Sequence, residues 1–292
     1  MFEIVRKELL GPSIWLMDVV APRIARSALP GQFLIVRIDS EGERIPLTIC
    51  DYDKEKGTIT IVFQTVGAET HRMKELNVGD CFADVAGPLG RPSELTELPL
   101  EELRKKKLLF IAGGVGTAPV YAQLKWLAEQ GVKADCIQGA RNKDILILLD
   151  EMAAVSNQLY ISTDDGSMGI HGNVCVALQQ LWDEGKRYDN VIVIGPMIMM
   201  KFACQLTKKL EIPTIVSMNT IMVDGTGMCG ACRLMVGGKV KFACVDGPEF
   251  DGHLVDFDQA MQRSQLYKTE EGRMMLAYQE GATHEGGCGH CK

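Results

Sequence analysis

The first hundred residues alternate short apolar runs with turn residues. Residues 13–20, 33–38, 58–63 and 81–85 are strand-sized and rich in β-branched and aromatic side chains, and Pro30-Gly31, Lys56-Gly57 and Gly79-Asp80 separate them. Short strands at this spacing predict a small antiparallel barrel, placed at 1–99. From Lys105 the pattern changes to apolar strand, glycine-rich turn and helix, over 107–112, 113–116 and 120–129. Further strands are expected at 135–139, 158–163, 191–195 and 214–218, with helices such as 174–184 and 201–210 between them. That alternation implies a doubly wound parallel sheet, placed at 100–218. Residues 219–257 make a third unit, rich in Gly and Cys and too short for a large core of its own. Units of that size rely on a metal or a host domain. A helix over 259–280 and a Gly/His/Cys-rich tail over 281–292 form the last segment, 258–292. The expected class is β plus α/β with a small third domain.

Composition narrows the functions such a chain can serve. Its 292 residues, 46% hydrophobic and 24% charged, suffice for at least two cores. A net charge of −7 argues against nucleic acid or an anionic membrane as partner, since both demand excess Lys and Arg. The apolar runs fall far short of the ~20 residues that cross a bilayer. The N-terminal residues lack a basic segment, an apolar stretch and a cleavage site, so a cytoplasmic protein is expected. In a reducing compartment the ten cysteines point to metal or redox chemistry rather than disulfides. Cys50, Cys81, Cys136, Cys175 and Cys204 stand singly and read as small packing residues, whereas Cys229, Cys232, Cys244, Cys288 and Cys291 crowd the last quarter.

That crowding has a specific spacing. Asp224-Gly225-Thr226-Gly227-Met228-Cys229-Gly230-Ala231-Cys232, with Cys244 after a hairpin through Gly237-Gly238, becomes the plant-type C-x4-C-x2-C…C pattern of a [2Fe–2S] cluster if Asp224 stands for the first cysteine. Two bridged irons need four anionic ligands, and glycines 225, 227 and 230 allow the close backbone approach that points N–H groups at sulfur. Asp224 is either the fourth ligand, a hard oxygen donor keeping the thiolate's charge, or part of a simple turn. Zinc on Cys229, Cys232 and Cys244, completed by Asp224 or His253, is the alternative metal. Cys288-Gly289-His290-Cys291 reads as a dithiol or half a metal site, and no role is assigned to it.

Two further constellations suit nucleotides. Arg44-Ile45-Pro46-Leu47-Thr48 puts a permanent cation, for a pyrophosphate, and a hydroxyl, for a flavin ring nitrogen, on a strand leading into a turn; the other reading is a surface Arg beside an edge-strand Pro. The loop Gln64-Thr65-Val66-Gly67-Ala68-Glu69-Thr70 follows strand 58–63 and opens a helix-like stretch through Leu76, so backbone amides such as that of Gly67 suit phosphate oxygens. Gly113-Gly114-Val115-Gly116-Thr117-Ala118-Pro119 follows an apolar strand and opens a helix, with Pro119 in the first turn. The other reading is a tight strand-to-helix turn. Gly139-Ala140-Arg141, Thr163-Asp164-Asp165-Gly166-Ser167 and Gly195-Pro196-Met197 all fall at carboxyl ends of expected parallel strands, the edge where open α/β sheets bind ligands. Arg141 would suit a 2′-phosphate, or it is simply solvated.

In this order, together with Pro30-Gly31-Gln32-Phe33 and Gly87-Pro88-Leu89-Gly90, these motifs resemble those of the ferredoxin-reductase-like flavoproteins over nearly the whole chain. The likeness is strongest to the branch holding the dihydroorotate dehydrogenase electron-transfer subunit, which has four cysteine ligands. Asp224 departs from that pattern. It is similar instead to the small subunits of NADH-dependent reduced ferredoxin:NADP oxidoreductase and of sulfide dehydrogenase, where an aspartate ligates the cluster. The resemblance implies FAD on Arg44, Pro46, Leu47 and Thr48, on Val62, Phe63 and Gln64, and on Glu69 and Thr70 beside Gly67. It implies NAD(H), or NADP(H), at Gly113, Gly114, Val115, Gly116, Thr117 and Pro119 with Asp165 and Gly166, near Gly195 and Pro196. It implies a cluster on Asp224, Cys229, Cys232 and Cys244. No catalytic acid, base or nucleophile is expected, because the cofactors carry the chemistry. The implied partner is a larger subunit with its own FAD and [4Fe–4S] clusters, in a heterodimer that bifurcates electrons between NADH, NADPH and ferredoxin. The other readings are a dihydroorotate, hydrogenase or sulfide partner, and a zinc-stabilised nucleotide-binding module without redox function.

Overall fold

Strand alternation builds two cores at once in the N-terminal half. The computed structural model describes residues 2–281. Its first seven strands are β1 (Phe2–Gly11), β2 (Ile14–Val20), β3 (Phe33–Arg37), β4 (Ile45–Asp53), β5 (Thr58–Gln64), β6 (Cys81–Phe82) and β7 (Asp84–Leu89), in one antiparallel sheet ordered β6-β1-β2-β5-β4-β3-β7. Only Ala83 separates β6 from β7, so one stretch of chain lies at both sheet edges and nearly closes the expected barrel. The Ala83 N–H donates to the carbonyls of Arg37 and Ile38. Met17, Val19, Ile59, Ile61 and Phe63 point into the barrel, while Ile14, Leu16 and Val62 on the same strands point outward. This period of two is strand geometry. β1 was not expected, because Ile4 is its only fully buried residue and the alternation that marks a strand is absent.

The second sheet is fully covered, and its strands read as continuous apolar runs, as buried parallel strands do. β8 (Leu108–Gly113), β9 (Asp135–Ala140), β10 (Leu159–Thr163), β11 (Ile170–His171), β12 (Asn190–Ile194) and β13 (Thr214–Ser217) pair in parallel, in the order β11-β10-β9-β8-β12-β13. The order reverses between β8 and β12, creating a switch point at their carboxyl ends. Helices Thr117–Glu129, Val174–Asp183 and Met197–Lys209 supply the expected connections. The last begins four residues earlier than expected, directly after Pro196.

The third unit leans on both neighbours. A hairpin of β14 (Arg233–Val236) and β15 (Lys239–Phe242) turns at Gly237 and Gly238, both with positive φ, as a two-residue primed turn requires. β16 (Glu249–Asp251) then joins the second sheet antiparallel to β13. Cys232, Leu234, Ala243 and Cys244 share one core with Val216 and Met218 of the second sheet and Phe33 and Ile35 of the barrel. The expected helix over 259–280 is two helices, Phe257–Arg263 and Lys268–Gln279. Three-residue backbone bonds, Gln265 N–H to Gln262 and Leu266 N–H to Arg263, tighten and end the first. The second reaches back over helix Ala68–Met73, where Tyr278 meets His71 and the Glu75 carboxylate. Among the described residues no helix is long and apolar enough to cross a membrane. The Cys288–Cys291 motif lies outside the described residues.

Candidate cofactor and cluster site

The cysteine loop is shaped by glycines and by its seat on the barrel. Gly225, Gly227 and Gly230 all have positive φ. A Cβ on Gly225 would stand 2.7 Å from Ile35 Cδ1 and 2.8 Å from Leu89 Cδ1, so a side chain there would both strain the backbone at φ +82° and push these barrel methyls aside. The Cys232 and Cys244 sulfurs lie 3.3 Å apart and are buried. Two thiolates on one tetrahedral metal, at about 2.3 Å each, stand about 3.8 Å apart, so a small opening of this pair accommodates such a metal ion. Burial, with Cys232 alongside, pushes the Cys244 thiol up to about 12, a penalty that a bound cation removes. Cys229 is exposed, and the Ala231 N–H aimed at its sulfur pulls its pKa below the usual thiol value.

Asp224 lies five residues before Cys229 in the same loop. Its Oδ2 accepts from the Thr226 hydroxyl at 2.7 Å, the Thr226 N–H at 2.9 Å and the Met228 N–H at 3.1 Å. These bonds hold its carboxyl below the usual carboxylate range, the Thr226 hydroxyl contributing most. They all fall on Oδ2, and Oδ1 accepts no hydrogen bond among the described residues. Among the described residues no three Cys, His, Asp or Glu side chains converge on one point as a single metal ion requires. The buried Cys232–Cys244 pair offers two sulfurs to one metal ion, and Cys229 and Asp224 are the other candidate donors of the same segment. His253 is turned elsewhere, with its Nε2 3.0 Å from the Thr207 hydroxyl.

The flavin motif stands beside this loop. Arg44 Nε donates to the Val223 carbonyl at 2.8 Å, a terminal nitrogen lies 3.4 Å from the Asp224 carbonyl, and Asp84 lies 3.5 Å away as counter-ion. Pro46 and Thr48 sit on β4 opposite Ile35 and Phe33. Val62 and Phe63 are buried and Gln64 is exposed, so the first two would meet a cofactor through their backbone. The Thr70 hydroxyl accepts from the amides of Val66 (2.9 Å) and Gly67 (3.1 Å) and closes the loop before helix Ala68–Met73. Glu69 is buried; burial raises its pKa, opposed by Arg72 at 3.0 Å, which also pairs with Asp39. Arg72 was missed by sequence reading, and its i,i+3 spacing from Glu69 was the available signal. Arg91 was missed too: its N–H reaches the Gly247 carbonyl at 2.7 Å and its Nε the Val245 carbonyl at 3.2 Å, joining the barrel to the cysteine unit.

The glycine-rich turn lies at the switch point. A Cβ on Gly116 would stand 2.4 Å from the Ile194 carbonyl oxygen, and one on Gly195 3.1 Å from Gly113 Cα, so the two loops meet backbone to backbone. Gly114 has φ +55° and open space around it. Thr117 is fully buried, and its hydroxyl lacks a partner among the described residues, while Pro119 is buried one turn into the helix. Asp165 and Gly166 follow β10, two strands from β8 and so about 10 Å across the sheet, with Asp165 Oδ1 accepting from the Ser167 N–H at 2.9 Å. Val115 packs in the same core as Val62, which brings the turn against the end of β5. Sequence-distant motifs thus meet on the barrel: the nucleotide turn at β5 and the cysteine loop at Arg44. The concave surface at Arg233 and Arg263 adjoins the cysteine loop, where Arg263 donates to the Ala231 carbonyl at 3.1 Å, whereas the one at Asn173 and Asp183 is lined by none of these residues.

Comparison with known proteins assigns matching segments. Residues 219–256 match the model of the iron–sulfur cluster binding domain of dihydroorotate dehydrogenase B, and residues 110–205 that of the oxidoreductase NAD-binding domain. A dihydroorotate dehydrogenase B (NAD(+)) electron transfer subunit homolog of Thermotoga maritima is 42% identical over 92% of this chain and 92% of its own length. The corresponding subunit of Streptococcus pneumoniae strain R6 is 32% identical over 85% of this chain and 94% of its own. A chain from the solved structure of an NADH-dependent reduced ferredoxin-NADP oxidoreductase, studied for flavin-based electron bifurcation, superposes with a TM-score of 0.88 at 40% identity, covering 97% of this chain and 98% of that one.

Proposed function

Because this chain belongs to the family of dihydroorotate dehydrogenase B electron-transfer subunits, we propose that it is the electron-transfer subunit of an NADH-dependent reduced ferredoxin:NADP oxidoreductase. Residues 1–99 would carry FAD, 100–218 NAD(H), 219–257 a [2Fe–2S] cluster, and 258–292 a helical C-terminal segment. One observation carries this reading: Arg44 of the flavin motif is bonded to the backbone at Val223 and Asp224, inside the cluster loop. A flavin on β4 and a cluster on Asp224, Cys229, Cys232 and Cys244 would then be neighbours. When bound, FAD accepts a hydride and the cluster relays its electrons singly. The chain supplies the geometry. The Gly113–Gly116 turn presents bare backbone and the start of a helix to a pyrophosphate, next to the end of β5. Arg44 and Asp224 fix the cluster loop, and the N–H groups of Thr226, Met228 and Ala231 stabilise anionic ligands. We assign no side chain an acid–base or nucleophilic role.

Asp224 favours this partner over a dihydroorotate-oxidising one, and the superposition of the oxidoreductase chain over 97% of this chain supports it. The partner would be a larger subunit with its own FAD and [4Fe–4S] clusters, forming a heterodimer that reaches ferredoxin and NADP(H). The test is anaerobic purification, a visible spectrum, and quantification of iron, sulfide and flavin in the native chain, Asp224→Ala and Asp224→Cys. Bound FAD with about two irons and two sulfides per chain, cluster loss in Asp224→Ala and a shifted spectrum in Asp224→Cys support the proposal. A colourless protein carrying zinc overturns it.

A further inference from the structure

One buried acid has no part in the foregoing. Glu249 on β16 is 9% exposed, and its Oε1 accepts a 2.6 Å bond from Nε2 of Gln123, on the helix that opens at the glycine-rich turn. The Gln123 Oε1 accepts in turn from the Ser93 hydroxyl at 3.2 Å, in the segment after the Gly87-Pro88-Leu89-Gly90 motif. Gln123 and Ser93 are each 1% exposed. The other carboxyl oxygen, Oε2, is buried without a partner among the described residues. Gly31 makes room for the group: a Cβ there would stand 2.7 Å from Ser93 N and 3.3 Å from Glu249 Oε1. The side chains therefore come from the flavin, nucleotide and cluster units and meet at one buried point.

We infer that Glu249, buried as the neutral acid against Gln123, is a positioning residue that docks the cluster unit on the nucleotide helix, so that losing its proton leaves an unpaired charge in that interface, loosens the docking and slows electron passage between them. The inference rests on the proposed function. Its chemistry follows from the surroundings. Glu249 faces Ser93 from the barrel, Gln123 from the helix, and the field of Glu94; among the described residues no cation pairs with it. Burial, assisted by Glu94, raises its pKa to about 7 against the pull of Ser93 and Gln123. The neutral acid fits a neutral pocket. The anion places an unpaired charge there, which must draw in water or part the units.

The experiment uses the cofactor-loaded protein. Stopped-flow absorbance follows NADH-driven flavin bleaching and cluster reduction from pH 6 to 8.5 in native chain, Glu249→Gln and Ser93→Ala, while infrared spectroscopy follows the protonated-carboxyl stretch. The expected result is a several-fold fall in the native cluster-reduction rate through about pH 7, tracking loss of the infrared band. Glu249→Gln, which keeps an acceptor for Gln123, holds the low-pH rate throughout and lacks the band. Ser93→Ala, losing a group that favours the anion, moves the midpoint upward. Loaded protein in which Glu249→Gln keeps the native profile, or in which Ser93→Ala leaves the midpoint unmoved should the first variant fail to fold, overturns the docking role and leaves the proposed function standing. Absence of bound flavin and iron overturns both.

Discussion

Two alanine substitutions in the glycine-rich turn separate a steric requirement from a conformational one. Gly116 has φ −61°, an ordinary helical value, so alanine costs nothing in backbone torsion and gains about 0.5–1 kcal/mol of helical preference. Its Cβ, however, would stand 2.4 Å from the Ile194 carbonyl oxygen and 2.9 Å from Gly195 Cα. Nothing there is a flexible side chain, so the turn and the β12 loop must part by nearly an ångström, an overpacking cost of about 1–3 kcal/mol. The net expectation for Gly116→Ala is a loss of about 1–2 kcal/mol in urea unfolding. Nucleotide affinity, measured by calorimetry with NADH, should fall about tenfold for each 1.4 kcal/mol by which the widened crevice disfavours the bound pyrophosphate. Gly114→Ala meets no atom within 4 Å but must adopt φ +55°, which costs about 1–2 kcal/mol without moving the β12 loop. Its nucleotide affinity should fall less than that of Gly116→Ala. If Gly116→Ala unfolds and binds like the native chain, the close approach of the two loops is not a constraint and the reasoning fails.

Other expectations follow from single contacts. Glu249 has a folded pKa raised from 4.5 to about 7, so its contribution to stability is complete below about pH 4.5 and is lost as pH rises through 7. The shift corresponds to roughly 3 kcal/mol; the stability difference between Glu249→Gln and native chain should grow by that order from pH 5 to 8.5, and parallel urea curves would contradict it. Lys125 Nζ lies 2.7 Å from both Asp51 oxygens across the barrel–nucleotide boundary, half-buried. Lys125→Met should cost about 1–2 kcal/mol, between exposed and buried pairs, and a cycle with Asp51→Asn should show coupling. Arg44→Met removes the bonds to the Val223 and Asp224 carbonyls, and should lower iron and flavin content together in the purified protein; loss of neither would detach Arg44 from both sites.

Elements with a strong period were legible in the sequence. The five long parallel strands and the Gly237-Gly238 hairpin stand where the pattern put them, because burial on both faces and the primed turn leave few alternatives. β1 escaped because it is an edge-like strand with one fully buried residue, and the strand expected at 44–48 runs on to Asp53 instead of turning, since its half-buried residues carry no pattern that marks its end. The break between the C-terminal helices is a matter of tertiary docking, with Tyr278 held over His71, and no local signal marks it. In the site, the ligand spacing could be read directly, since it is set by a contiguous loop. Arg44's grip on residue 223, Arg91's on residue 247 and the Glu249–Gln123 bond join residues more than a hundred positions apart. Such pairs carry no period and emerge only when the units are assembled.

The double duty of β2 and β5 limits how this protein can be taken apart. Because Ile14, Leu16 and Val62 share a core with Phe110, Ala118 and Leu124 while Met17, Ile61 and Phe63 fill the barrel, shortening the chain to its barrel would turn an interior surface into a sticky exterior. The nucleotide unit alone would suffer the same fate from the other side. Swapping either unit with that of a relative is therefore a problem of matching a shared seam, not of choosing a linker, and chimaeras should succeed only when these outward-facing residues travel with their partners.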